Sequence, residues 1–145
     1  MTIQQNVQNH RGGHQTPWAA QFAVASELCK RGYEVSLTMG NTTPLADLMV
    51  VSPKLRQMFL IDVKGLYRPN PWWVKRKPQR DNLFYVLAFV PTDKPNRFFV
   101  MTQCQVNQSV QDEQTRLNRP DTYSFQGFNW KVAHPYENAW NLLPA

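Results

Sequence analysis

The sequence predicts an α/β protein with a central sheet of about five strands flanked by helices, and three observations predict it. A helical segment near residues 16–31 opens the ordered part of the chain. Five short apolar runs follow, each bounded by turn-forming residues, as strands are. A later polar stretch, residues 103–118, reads as partly helical. At 145 residues and 42% hydrophobic content, the chain has enough length and apolar material for one domain with a real core.

Residues 1–15 are polar and read as a flexible arm preceding a single domain over residues 16–145. His10 and His14 stand four apart, but Gly12-Gly13 between them opposes the helix that a metal site of that spacing needs. Thr16 suits an N-cap, Pro17 a first turn and Gly32 a stop signal. Phe22, Ala25 and Leu28-Cys29 recur at helical spacing and mark an apolar face. Tyr33-Glu34-Val35-Ser36-Leu37 alternates as a strand, and a loop runs from Thr38 to Pro44.

Two further strands, Leu48-Met49-Val50-Val51 and Met58-Phe59-Leu60-Ile61, are joined by a turn at Pro53-Lys54-Leu55-Arg56. If those four residues are the loop, Ser52 faces Gln57, Val51 faces Met58, Met49 faces Leu60, and Asp47 lies directly opposite Asp62. Both faces of the pair are apolar, the pattern of central strands covered on each side. Residues 65–82 form a basic, aromatic loop in which three prolines oppose a long helix. Leu83-Phe84-Tyr85-Val86-Leu87-Ala88-Phe89-Val90 and Arg97-Phe98-Phe99-Val100-Met101 are the remaining strands, with a turn between them. The tail carries Trp130, Tyr136 and Trp140 and is expected to cover the body with its aromatics.

The charges at the strand ends carry the chemistry. Asp47 precedes one apolar run, and Asp62-Val63-Lys64 ends the next. Opposed carboxylates about 5 Å apart repel and call for a cation or a shared proton. Lys64, two residues beyond Asp62, points to the same face. Ordinary strand-end acids, with Lys64 paired to one of them, are the plainer alternative. The basic loop adds Arg68, Lys75, Arg76 and Lys77 as candidate phosphate contacts, with Trp72 and Trp73 as stacking platform or core packing. A net charge of +6 and a pI near 9.6 favour a polyanionic partner.

Arg31-Gly32-Tyr33-Glu34-Val35, Ala46-Asp47-Leu48 and Asp62-Val63-Lys64-Gly65, in that order of elements, resemble the PD-(D/E)XK nuclease superfamily over about residues 17–106. The resemblance implies a restriction endonuclease-like core with a mixed sheet, and a magnesium-dependent DNA endonuclease, with manganese as a substitute ion. It implies that Asp47, Asp62 and the Val63 carbonyl bind the metal and that Lys64 assists the attacking water. It also allows a homodimer, because many relatives cut two strands as dimers. Ala46 replaces the usual proline before Asp47. Gln21 occupies the place, eleven residues before Gly32, where such families often carry a metal-directed glutamate. That change keeps open a catalytically weak or inactive nucleic-acid-binding module. A third reading is a domain that binds an acidic protein.

No apolar stretch approaches the ~20 residues needed to span a bilayer, and the polar N-terminus lacks the apolar core of a secretory signal. A cytoplasmic protein is the expectation. Cys29 and Cys104 have no CxxC partner, which argues against structural zinc and a disulfide framework and reads as two buried thiols.

Overall fold

The structure, a computed structural model, describes residues 11–38 and 46–145. His10, most of the N-terminal arm and most of the loop after Thr38 lie outside the described residues. Helix α1 (Gln15–Lys30) leads into strands β1 (Glu34–Leu37), β2 (Leu48–Val51) and β3 (Met58–Leu66). Strands β4 (Trp72–Trp73), β5 (Leu83–Phe89) and β6 (Arg97–Thr102) follow. Helix α2 (Gln103–Arg116), strand β7 (Gly127–Phe128) and two 3₁₀ turns, Trp130–Tyr136 and Trp140–Leu142, complete the chain.

The main sheet has five strands in the order β1-β2-β3-β5-β6. It is mixed: β3 and β5 are parallel, and the other neighbours are antiparallel. Strand β5 is apolar along its whole length because both of its faces are covered. On one face, Ala20, Val24 and Leu28 of α1 meet Leu48, Phe59, Ile61, Val86 and Val100. On the other, Val106 and Val110 of α2 join Trp72, Phe128 and Ala133 over Leu60, Leu83, Leu87 and Met101. A capping box starts α2: Thr102 Oγ1 accepts from Gln105 N–H, and Gln105 Oε1 accepts from Thr102 N–H. Among the described residues no helix is long and apolar enough to cross a membrane.

The helix departs from expectation in its phase. It begins at Gln15, so Thr16 lies inside it rather than capping it. The stripe facing the sheet is Thr16, Ala20, Val24 and Leu28, whereas Phe22 is 57% exposed and stacks on Trp18. The cause is close approach. A Cβ on Gly65 of β3 would lie 2.7 Å from the Ala20 methyl and 3.1 Å from the Thr16 carbonyl oxygen. Small side chains permit that distance, and Phe22 would not.

Two further expectations are corrected. Cys29 and Cys104 are both exposed, each on the solvent side of its helix. The β2–β3 pair is not covered on both sides, since Met49 is 42% and Met58 59% exposed. The cover given by α2 and the tail ends before that edge of the sheet.

Gly65→Ala should destabilise the protein by roughly 1–3 kcal/mol, because the new methyl must push the helix off the sheet. Chemical denaturation would measure it, and an unchanged midpoint would contradict the close approach.

Candidate active site

The register reads as the four-residue turn requires: Val51 pairs with Met58, Val50 with Phe59, Met49 with Leu60 and Leu48 with Ile61. Ser52 closes the turn, its N–H donating to Gln57 O and its hydroxyl oxygen accepting from Gln57 N–H. Regular pairing ends at Leu48, one residue short of Asp47. The Asp47 N–H donates to Ile61 O, so Asp47 is not a ladder partner of Asp62. Where β2 stops, the Val63 N–H of β3 loses its strand neighbour, and Asp47 Oδ2 accepts it at 2.8 Å. Gln21, buried on α1, donates its amide to Asp47 Oδ1 at 3.4 Å. The helix residue in the glutamate's place therefore does reach the strand acid.

Asp62 is only 3% exposed and carries two lysines. Strand alternation brings Lys64 Nζ to 3.1 Å from Oδ1, as expected. Lys77 Nζ lies 2.5 Å from Oδ2, an arrangement that linear reading missed. It arises because the loop is clamped. Gln103, at the start of α2 and 1% exposed, donates to the carbonyls of Lys77 and Pro78, and its own oxygen accepts from Arg80 N–H. Asn107 donates to the same Lys77 carbonyl. The Lys64 contact lies off the direction of a hydrogen bond, so Asp62 Oδ1 keeps unmet capacity.

The other basic and aromatic candidates separate. Arg76 pairs with Asp121 at 2.8 Å and bonds Gln111, so its guanidinium is engaged within the protein. Trp72 is fully buried, stacked on Trp130 at 5.5 Å, and is core rather than a nucleic-acid contact. Trp73, Lys75 and Arg68 are exposed; Arg68 lies over the Tyr67 ring at 5.2 Å. Asp62, Lys64, Lys77, Lys75, Trp73 and Phe125 line one cleft of about 640 Å³. Phe125 had no signal beyond being an aromatic in a polar tail segment.

Burial is the first cause that raises the Asp47 pKa above the ordinary carboxylate value. The Val63 N–H opposes this, the Asp62 charge adds to it, and Lys64 and Lys77 oppose it again. Tyr85, the ladder partner of Asp62 across β3 and β5, has a buried hydroxyl without a hydrogen-bond partner. Burial, then the Asp62 charge, holds that hydroxyl neutral far above its usual range.

A hard divalent cation fits this donor set. Two adjoining carboxylates, one raised in pKa and the other with an unsatisfied oxygen, are oxygen donors of the kind magnesium and manganese take. Among the described residues no three His, Cys, Asp or Glu side chains converge.

No family model matches the chain. No curated protein matches it either. Among solved structures, the fold is similar to that of a bacterial homing endonuclease, I-Ssp6803I, with a TM-score of 0.55 and 16% identity. The likeness covers 92% of this chain and 91% of that one. At that identity it is a likeness of fold: a five-stranded mixed sheet between two helices.

Two outcomes follow from the electrostatics. Because the folded state holds the Asp47 proton more tightly than the unfolded chain, ionising Asp47 costs stability. That cost is absent below the unfolded pKa and complete above the raised folded one. Asp47→Asn, which keeps an acceptor for Val63, should therefore stabilise the protein near neutrality by on the order of 1 kcal/mol. The gain should shrink as pH falls through the carboxylate's raised pKa, as thermal melts over acid pH would show. Tyr85→Phe removes an unpaired buried hydroxyl and should be neutral or stabilising by up to about 1 kcal/mol; a clear loss on denaturation would reveal a hidden partner.

Proposed function

We propose that this protein is a magnesium-dependent DNA endonuclease that hydrolyses phosphodiester bonds at Asp47, Asp62 and Lys64. The observation that supports it most is the meeting of those three side chains and Gln21 at one end of the β2–β3 hairpin, beside a basic cleft. The likeness of fold to a homing endonuclease supports the same reading and favours DNA as the polyanion.

Asp47, Asp62 and the Val63 carbonyl would hold the ion, magnesium or manganese, which supplies a Lewis acid to offset charge developing on the phosphate. The protein's own groups do the rest. Lys64, partly exposed beside the buried carboxylate, would orient a water and donate to a phosphate oxygen. Lys77 offsets the Asp62 charge from the opposite oxygen and narrows the places where a further cation or phosphate can sit. Gln21 holds Asp47 through its amide and adds no negative charge. Lys75, exposed on the cleft, and Arg68 beyond it would contact the nucleic-acid backbone.

One observation favours a second reading, a nuclease-like module that binds nucleic acid and cuts weakly or not at all. Two lysines already balance the two acids, and the position of a third acid is filled by Gln21. Calorimetry with Mg²⁺ and Mn²⁺ separates the two, since the inactive module should show no saturable metal binding.

The direct test incubates supercoiled, linear, single-stranded and four-way-junction DNA with the protein and either ion. Asp62→Ala and Lys64→Ala should each lower cleavage by about 100-fold or more. Arg76→Ala, whose side chain is occupied by Asp121 and Gln111, should change it by only about threefold. Cleavage that survives both Asp62→Ala and Lys64→Ala would refute the proposed site.

A further inference from the structure

Trp73 and Phe125 are 56% and 65% exposed, yet neither is loosely placed. Trp73 belongs to the β4–β7 ribbon, where it pairs with Gly127. A Cβ on Gly127 would fall 2.1 Å from the Trp72 carbonyl oxygen, so the ribbon closes only around glycine. Trp72 is anchored in the core, and strand alternation turns Trp73 outward. Next to Phe125, Gln126 accepts Val74 N–H with its carbonyl and Arg76 N–H with its side-chain oxygen, while its amide donates to Asp121 O. The two rings meet edge to face at 5.8 Å.

Behind this pair lies a second, smaller cavity of about 140 Å³, lined among others by Pro71, Trp73, Gln114, Leu117, Phe125 and Phe128. Gln114 is 2% exposed, and both atoms of its amide are buried with no hydrogen-bond partner. An unsatisfied buried amide costs roughly 1–3 kcal/mol, and this one supplies both a donor and an acceptor. The same two aromatics thus stand between a basic cleft containing Asp62, Lys64 and Lys77 and a cavity of mixed lining, in which Glu113, Arg119 and Asn129 join the apolar groups and the unused amide.

We infer that this cavity receives one nucleobase, swung out of the stack from the strand whose phosphate lies at Asp62 and Lys64. The inference rests on the proposed nucleic-acid reading and deepens it by naming the substrate feature. A base suits the chemistry on three counts. Its faces stack on Trp73 and Phe125, its edge offers the adjacent donor and acceptor that Gln114 lacks, and its phosphate meets the lysines of the cleft. Size selects among bases. A cavity of ~150 Å³ holds a benzene ring, so this one favours a single six-membered ring, a pyrimidine, over a purine. A cavity of about 140 Å³ is too small to seat a stable protein interface, and it lies beside a cleft lined by three lysines.

The test is binding in Ca²⁺ buffer to DNA duplexes that are fully paired or carry one bulged dC, dT, dA or dG. The bulged pyrimidines should bind about 10-fold tighter than paired duplex and tighter than the bulged purines. Trp73→Ala and Gln114→Leu should each erase that gain, and Gln114→Leu, which lies outside the basic cleft, should leave affinity for paired duplex nearly unchanged. Gln114→Leu removes an unpaired polar group, so its melting temperature should hold or rise, which separates loss of a ligand contact from loss of fold. Trp73→Phe should restore part of the preference. Equal affinity for bulged and paired duplex, a uniform loss in the variants, or a purine preference overturns the inference. Selective binding without cleavage in Mg²⁺ or Mn²⁺ would refute the nuclease reading and leave the base pocket standing. Cleavage without selectivity does the reverse, and absence of all DNA binding refutes both.

Discussion

A carboxylate that is 3% exposed in the middle of a sheet has to be neutralised from within reach, and Asp62 imposes that condition on much of the chain. Lys64 satisfies half of it through strand alternation alone. The other half needs a cation from outside the strand, and Lys77 arrives on a loop whose prolines leave it few ladder bonds of its own. The loop keeps its place because Gln103 and Asn107 hold its carbonyls from the first turns of α2. The capping box at Thr102 and Gln105 in turn fixes where α2 begins. One buried charge on β3 is thus tied, through Lys77 and its loop, to the first turns of α2.

The other side of the site depends on how closely a helix can approach a strand. Gly65 lets α1 rest on β3 through Ala20 and Thr16. The residue after Ala20 is Gln21, and at that distance its amide reaches Asp47. Asp47 meanwhile does a structural task, accepting the Val63 N–H that the end of β2 leaves open. Its carboxylate is therefore fixed by strand and helix together, in a setting whose burial opposes its charge. Such a group is held at a cost in stability.

Much of this was legible in the residues. The five apolar runs are the five strands, and a four-residue turn gave the pairing of β2 with β3, because an antiparallel hairpin is a local structure. The parallel pairing of β3 with β5 has no local turn to announce it, and with it went the neighbourhood of Tyr85 and Asp62. The helix was legible but its face was not. Hydrophobic periodicity weights large residues such as Phe22, whereas close contact at Gly65 selected Thr16 and Ala20. Lys77 and Gln114 were beyond reach for a shared reason: each is a polar residue among polar neighbours, distinguished only by what the fold brings against it.

The basic triplet shows how little a charge run says by itself. Lys75, Arg76 and Lys77 are consecutive, yet one faces solvent, one staples Asp121 and Gln111, and one neutralises Asp62. Extended backbone turns successive side chains to opposite sides, so three adjacent cations cannot share one phosphate track. The charge near the two strand-end carboxylates is close to balanced, since Lys64 and Lys77 answer Asp47 and Asp62. Under the proposed nucleic-acid reading, affinity for a polyanion would then come from cations at the margin, such as Lys75 and Arg68, and from stacking at Trp73. Marginal cations are screened by salt and stacking is not, so the two contributions to binding differ in kind as well as in place.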